Sequence, residues 1–219
     1  TQTADLTDFS GTIDYIRAKT DIIIQGSTGG LVDLSIQDRS TALNDRRVQS
    51  ASLNMGSVNF SDDVYVNTLP DIRYWAGRMM EERIVPELVI FEVGMIRIYK
   101  ALMAESFLRK PFSFVFCLGV DWGLAADPNS LFFMTKRLDE PYPWGVIHSG
   151  MNDLSLLATA IGMGAAAVRV GFEDSAFYAP GKAAETNVEL VERVVALVHS
   201  IGFDVATTAE AGAILGILK

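Results

Sequence analysis

Short, continuously apolar segments recur along the chain, and they predict strands that are buried on both faces. Continuous apolarity without alternation is typical of a parallel sheet covered by helices. The segments span residues 21–28, 51–58, 87–94, 112–119, 144–150 and 165–174.

Helical patterns separate these strands. Residues 69–83 carry an apolar stripe at spacings of three and four, formed by Ile72, Trp75, Ala76, Met79 and Met80. A second helix begins at Thr186, which has capping-box spacing to Glu189, and it stops at Gly202. Weaker stripes at 95–108 and 152–163, and a helix within the first twenty residues, complete an alternation that predicts βα units.

The spacing of the strands favours an eight-fold barrel. Strand starts lie about 29 residues apart, and eight such units give about 230 residues, the scale of a (β/α)8 barrel. An open doubly wound sheet is the alternative, but its glycine fingerprint is missing: Gly162-x-Gly164-x-x-Ala167 follows a helix and precedes a strand. We predict an α/β fold of the (β/α)8 TIM-barrel type. We expect residues 1–219 to form a single barrel domain whose first two strands are absent from this sequence.

Composition and charge exclude several classes of protein. The chain is 49% apolar and 21% charged, with a net charge of −9 and no basic run longer than Arg46-Arg47. A surface for nucleic acid or an anionic membrane is not expected. A lone cysteine, Cys117, cannot form an internal disulfide. With no signal peptide and no apolar run of about 20 residues, we expect a cytoplasmic protein.

The most informative polar group follows the last predicted strand. Active sites of such barrels lie at the C-terminal strand ends. If the strand continues through residue 173, Arg169 and Glu173 share one face and Asp174 lies on the turn above them. A guanidinium beside two carboxylates suits an anionic substrate, a bound metal and proton transfer. A structural ion pair, with Asp174 capping the next turn, is the alternative.

Two other strand ends offer candidate groups. Ser27-Thr28-Gly29-Gly30 combines hydroxyls with backbone N–H groups, as an oxyanion or phosphate site needs; a plain tight turn is the alternative. His148, near the end of another strand, suits either a ligand or a hydrogen-bonded structural histidine.

Taken together, the strand ends resemble the beta-keto acid cleavage enzymes, the family of 3-keto-5-aminohexanoate cleavage enzyme. The most specific shared motif is RVG-hydrophobic-ED, within AVRVGFED. The other shared segments are IIIQGSTGG, ASLNMGSVNF, PELVIFEVG, FVFCLGV, PGK, TNVELV and EAGAILGI, so the resemblance covers essentially the whole chain.

The resemblance implies a zinc-dependent retro-Claisen enzyme and a homotetramer. A beta-keto acid and the co-substrate acetyl-CoA would give acetoacetate and a new acyl-CoA. Glu173 would be a zinc ligand, Asp174 the general base, and Arg169 the group that orients and stabilises the reacting atoms. The expected substrate-binding residues are Ser27, Thr28, Gly29, Gly30, Ser52 and Asn54, with Ser27 also taking part in catalysis.

The sequence also departs from the family. The family's His-x-His zinc ligands do not occur in these 219 residues, and we expect them on the absent second strand. Gly212 and His148-Ser149 differ from the family's usual residues, which leaves the keto acid unnamed. The alternatives are a catalytically silent barrel that binds a carboxylate or CoA ligand, and another divalent-metal lyase or aldolase. The aromatic segments 132–134 and 177–178 predict apolar surface for oligomer contacts.

Overall fold

A parallel six-stranded sheet forms the centre of the protein. The structure is a computed structural model that describes residues 4–30 and 34–217. The strands are β1 (Gln25–Ser27), β2 (Ser50–Asn54), β3 (Val58–Phe60), β4 (Asp63–Tyr65), β5 (Val85–Ile90), β6 (Ser113–Leu118), β7 (Trp144–His148), β8 (Ala167–Arg169), β9 (Phe177–Ala179) and β10 (Lys182–Ala183). The main sheet has the order β1-β2-β5-β6-β7-β8, while β3–β4 and β9–β10 are antiparallel hairpins.

Helices lie between the parallel strands, as the alternating pattern predicts. They are α1 (Leu6–Arg17), α2 (Leu69–Glu81), α3 (Ile98–Ala104), α4 (Pro128–Thr135), α5 (Ser155–Gly162), α6 (Asn187–Ser200) and α7 (Thr208–Leu215). Two 3-10 segments cover Asp38–Asn44 and Val93–Arg97. Among the described residues, no helix is long and apolar enough to span a bilayer.

Helix α2 illustrates how the local sequence sets the fold. Thr68 and Asp71 form a reciprocal capping box at its start, which satisfies amides that have no partner within the helix. Four residues of the predicted stripe, Ile72, Trp75, Ala76 and Met79, are buried in the core, and Trp75 and Met79 are fully enclosed. The stripe is therefore confirmed for these four residues, but the expectation that Met80 belongs to it is wrong, because its side chain is 39% exposed.

One face of strand β6 packs against the helices, and the other face lines a cavity. The Phe114 ring packs edge-on against Tyr99 of α3 and against Tyr142, each at 5.3 Å between ring centroids. On the opposite face, Cys117 lines a cavity at the C-terminal end of the sheet. Burial on both faces explains why this strand is continuously apolar.

The described sheet is an open half-barrel. Within the described residues β1 pairs only with β2, and β8 pairs only with β7. The predicted α/β class and parallel topology are confirmed. The complete eight-stranded barrel is not present in the described part of the chain.

The last parallel strand is shorter than predicted. It ends at Arg169, and the following residues form a turn in which the amides of Asp174 and Ser175 both donate to the Gly171 carbonyl at 3.0 Å. Gly171 has a φ of 152°, a conformation that side chains disfavour. The expectation that Glu173 lies on the inward face of a strand is therefore wrong: it lies on this turn.

Candidate active site

A cavity of about 1240 Å³ opens at the C-terminal ends of the parallel strands. Every predicted catalytic, substrate-binding and metal-binding residue except Thr28 lines it, namely Ser27, Gly29, Gly30, Ser52, Asn54, Arg169, Glu173 and Asp174. The structure therefore brings together side chains that are far apart in the sequence. The β1–β2 end supplies neutral polar groups, and the segment after β8 supplies charged ones.

Ser27 presents a hydroxyl whose acceptor positions are already used. Its Oγ accepts hydrogen bonds from the Gly29 amide at 2.9 Å and from the Ser52 hydroxyl at 3.2 Å. A hydroxyl has two lone pairs and one proton, so the Ser27 proton remains available for an acceptor in the cavity.

Thr28 joins two strands instead of reaching the cavity. Its side chain is fully buried, and its hydroxyl donates to the Ser52 carbonyl at 2.7 Å. Its amide bonds to the same carbonyl at 3.3 Å. The Thr28 side chain is thus a structural link between β1 and β2, and no substrate contact can be assigned to it.

Tyr65 is a site residue that the sequence did not reveal. Its Oη accepts hydrogen bonds from the Gly30 amide at 3.2 Å and from the Asn54 side-chain amide at 3.1 Å. A Cβ placed on Gly29 would lie 2.6 Å from this oxygen, so a side chain there would displace the Tyr65 hydroxyl. With two donors already bound, Oη can direct its own proton into the cavity.

These contacts change the expected role of the glycine turn. The amides of Gly29 and Gly30 already donate to Ser27 and Tyr65. The predicted backbone donors for an oxyanion are therefore engaged within the protein. At this end of the cavity, the hydroxyls of Ser27 and Tyr65 remain as donors.

Arg169 binds Asp174 through two parallel contacts. The Arg169 Nε donates to Asp174 Oδ2 at 2.8 Å, and Nη2 donates to Oδ1. The Asp174 side chain is only 8% exposed. Burial by itself lowers the pKa of Arg169, but the ion pair with Asp174 outweighs it and the pKa is raised. The ion pair therefore favours the charged form of the Arg169 guanidinium.

Glu173 has a very different environment from its neighbour. Its side chain is 83% exposed, and its Oε1 lies 3.6 Å from Arg169 Nη2. An exposed carboxylate with open coordination positions suits a metal ligand. No group of three His, Cys, Asp or Glu side chains in the described ranges could hold a metal ion. Glu173 therefore fits as one ligand, but the described residues do not form a complete metal site.

Glu87 is a half-buried carboxyl group on β5, within electrostatic reach of Arg169. It is in register with Ser52 on one side and Ser113 on the other. Burial raises the pKa of Glu87, while a hydrogen bond with Gln25 and the charge of Arg169 oppose that rise. Glu87 begins the predicted strand 87–94, and its proximity to Arg169 arises from the sheet register, which the sequence does not show.

His148 lies outside the cavity. Its ring is half-buried at the end of β7, while the cavity is lined by its neighbours Ile147 and Ser149. Burial lowers the pKa of His148, and the charge of Asp153 opposes that shift. The structure therefore does not bring His148 together with Arg169 and Asp174.

Comparisons with known proteins agree on one family. A family model described as beta-keto acid cleavage enzyme matches residues 1–217. The chain is 37% identical to a 3-keto-5-aminohexanoate cleavage enzyme of Fusobacterium nucleatum, covering 100% of this chain and 80% of that protein. A protein of the same name from Acetoanaerobium sticklandii is 36% identical over 96% of this chain and 77% of its own length.

Two further matches are more distant. The 3-oxoadipate:acetyl-CoA acetyltransferase of Cupriavidus necator is 32% identical over 90% of this chain and 69% of its own length. The apo structure of ObcA superposes with a TM-score of 0.81 at 17% identity, which supports the fold alone. It covers 98% of this chain, and this chain spans 55% of its length.

Proposed function

Because this chain belongs to the beta-keto acid cleavage enzyme family, we propose that it exchanges acyl groups between a beta-keto acid and acetyl-CoA. The matches confirm the family that the strand ends predict. Acetyl-CoA as co-substrate is supported by relatives that are named acetyl-CoA transferases.

The proposed exchange breaks one carbon–sulfur and one carbon–carbon bond and forms one of each. The acetyl group leaves the sulfur of CoA and joins C2 of the keto acid. The acyl group leaves C2 and joins the sulfur, so the products are acetoacetate and a new acyl-CoA. A proton must leave C2 before the new carbon–carbon bond forms, and it returns when acetoacetate is released.

Asp174 is the group best placed to move that proton, and its pairing with Arg169 is the observation that carries the proposal. The carboxylate lines the cavity, and Arg169 fixes its orientation through two contacts. A positioned carboxylate of this kind is suited to general-base catalysis. Arg169 Nη1 has no hydrogen-bond partner among the described residues, and it would donate to the oxygen that gains negative charge.

At the opposite end of the cavity, neutral donors would orient the substrate. The hydroxyls of Ser27 and Tyr65 would each donate to an oxygen of the keto acid. Neutral donors hold a carboxylate or carbonyl oxygen without forming a competing ion pair with Asp174. Ser52 and Asn54 would act through these two groups, because they already bind Ser27 and Tyr65.

Zinc and barrel closure belong to the same proposal. Glu173 would be one zinc ligand, and its partners would come from outside the described residues. Zinc bound there would act as a Lewis acid toward the keto acid's oxygens. The unpaired sides of β1 and β8 support closure of the sheet by two further βα units, within one barrel domain.

We also propose a homotetramer. Phe132, Phe133 and Phe177 are 54%, 40% and 43% exposed, which supports an apolar contact surface. The expectation that Met134 shares this surface is wrong, because its side chain lies on the buried face of α4 and is fully enclosed in the core. Light scattering of the full-length protein should give the mass of a tetramer; a stable monomer would contradict the proposal.

The function is tested by incubating the full-length protein with acetyl-CoA and a panel of keto acids. The panel contains 3-keto-5-aminohexanoate, 3,5-dioxohexanoate, 3-dehydrocarnitine and 3-oxoadipate, the compounds named for the relatives. Mass spectrometry should detect acetoacetate and a new acyl-CoA in equal amounts. Cleavage that proceeds without acetyl-CoA would favour another lyase, and no turnover with any acid would favour a silent binding barrel.

A further inference from the structure

Three nitrogen-bearing side chains that do not line the cavity lie on elements that flank the turn carrying Asp174. They are His148 at the end of β7, Lys182 in the β9–β10 hairpin and Arg193 in α6. We propose that they form an anion site that binds a phosphate group of CoA. This inference rests on the proposed use of acetyl-CoA.

Arg193 is the central observation. Its guanidinium makes no hydrogen bond or ion pair with the described residues, and its Nη1 is buried without a partner. Among the described residues, the Arg193 guanidinium makes a cation–π contact with the Tyr178 ring, whose centroid lies 4.9 Å from Cζ. A shielded N–H without an acceptor is costly and uncommon in folded proteins. A bound phosphate oxygen would satisfy it.

Lys182 brings a second positive charge to the same place. Its Nζ lies 4.6 Å from the centroid of the same Tyr178 ring, and it has no ion-pair partner among the residues that the structure describes. Within the described residues no carboxylate oxygen lies within 4.0 Å of either cation, although the chain has a net charge of −9. Mutual repulsion between them is relieved when an anion binds.

His148 adds a third nitrogen without a partner. Its Nδ1 is buried and has no hydrogen bond within the described residues. Asp153 is an acidic group within electrostatic reach of both His148 and Arg193. The Asp153 Oδ1 accepts hydrogen bonds from both the amide and the hydroxyl of Ser155, and these bonds hold the carboxylate at the first turn of α5.

The position of the cluster fits a co-substrate that reaches into the cavity. Tyr178 follows Asp174 by four residues. Barrel enzymes often bind phosphate at the loops after their last two strands, which correspond here to β7 and β8. A CoA ester could therefore place its phosphates on the cluster while its thioester enters the cavity beside Asp174.

Isothermal titration calorimetry with CoA tests the site without requiring turnover. Arg193→Gln should weaken CoA binding about tenfold to a hundredfold, the effect of losing one charge-assisted hydrogen bond. Arg137→Gln is the matched control, because Arg137 also stacks on a ring, that of Phe133 at 4.5 Å, and the change in charge is the same. The control should bind CoA like the wild type.

Further ligands separate the outcomes. Acetyl-pantetheine, which lacks the nucleotide phosphates, should bind wild type and Arg193→Gln equally. Lys182→Gln supplies a second test if Arg193→Gln does not fold. Equal CoA affinity in wild type and both variants would overturn the phosphate site but leave the proposed function intact. Inorganic phosphate that binds the cluster and is not displaced by CoA would also overturn it, while failure to bind either CoA or acetyl-pantetheine would count against the proposed function itself.

Discussion

Arg169 and Asp174 form a two-pronged ion pair across a five-residue separation, at the rim of the cavity. The sequence leaves two interpretations of these residues open: a structural ion pair or a catalytic pair. The pairing itself agrees with both. Both side chains line the cavity, and a purely structural ion pair would not need that position.

Ser27 and Thr28 should respond differently to mutation, although they are adjacent. Ser27→Ala removes a hydroxyl proton that faces the cavity, and we expect a higher KM with little loss of stability. Thr28→Val removes a buried hydrogen bond to Ser52, and we expect the free energy of unfolding to fall by about 1–3 kcal/mol. Urea unfolding and steady-state kinetics distinguish the two. The assignment fails if Thr28→Val changes KM while Ser27→Ala does not.

Tyr65→Phe tests the hydroxyl that the sequence did not reveal. The ring contact with Phe60, at 6.4 Å between centroids, can be kept, but the Gly30 and Asn54 donors lose their acceptor. We expect both a lower melting temperature and a KM for the keto acid raised about fivefold or more, the loss of one neutral hydrogen bond.

Tyr74→Phe is the control for this variant, because the Tyr74 hydroxyl makes only a 3.5 Å contact with Arg78 on α2. It should behave like the wild type in both measurements. A Tyr65→Phe protein with reduced stability and an unchanged KM would restrict Tyr65 to a structural role.

Glu173→Gln should remove bound zinc from the full-length protein while the fold survives. A neutral amide is a much poorer zinc ligand than a carboxylate. Glu81→Gln is a suitable control, because the Glu81 side chain is 72% exposed on α2 and does not line the cavity. Metal analysis of the purified variants decides the point: an unchanged zinc content in Glu173→Gln would refute the ligand assignment.

Asp45 should make stability depend on pH. Hydrogen bonds from Arg47 lead the contacts that hold the pKa of the Asp45 carboxyl far below its usual range. The pKa of Asp45 is lower in the native state than in the unfolded state, where it is about 4. The stabilisation is therefore complete above pH values of about 4 and is lost as the pH falls further. Asp45→Asn should therefore be less stable than wild type at pH 7, with the difference shrinking toward pH 2. A constant difference in urea unfolding across that range would contradict this.

The sequence predicts the sheet well because buried parallel strands leave a strong local signal. Residues 112–119 are continuously apolar, and β6 is buried along its whole length. The α2 stripe and its Thr68 cap are equally local, since spacing and capping act within a few residues. The family resemblance rests on motifs at the ends of the strands, and the parallel sheet brings these motifs together at one cavity.

The parts that the sequence does not reveal depend on contacts between distant residues. The Tyr65 hydroxyl accepts a hydrogen bond from the Gly30 amide, 35 residues away in the sequence. Tyr65 lies in the short β3–β4 hairpin, which no turn motif in the sequence predicts. The end of β8 depends on the positive φ of Gly171, which lets the chain turn two residues after Arg169. The apolar segment continues through Val170 and Phe172, so the sequence predicts a strand that is too long.

The single-turnover rate of Asp174→Asn, measured per folded and zinc-loaded molecule, tests the central claim most directly. If Asp174 moves the C2 proton, the rate should fall by about 10²–10⁴, and adding Arg169→Lys should cost less than the product of the two single effects. A structural ion pair predicts instead that residual activity follows the folded fraction. A folded, zinc-loaded Asp174→Asn protein with a near-normal rate would contradict the account.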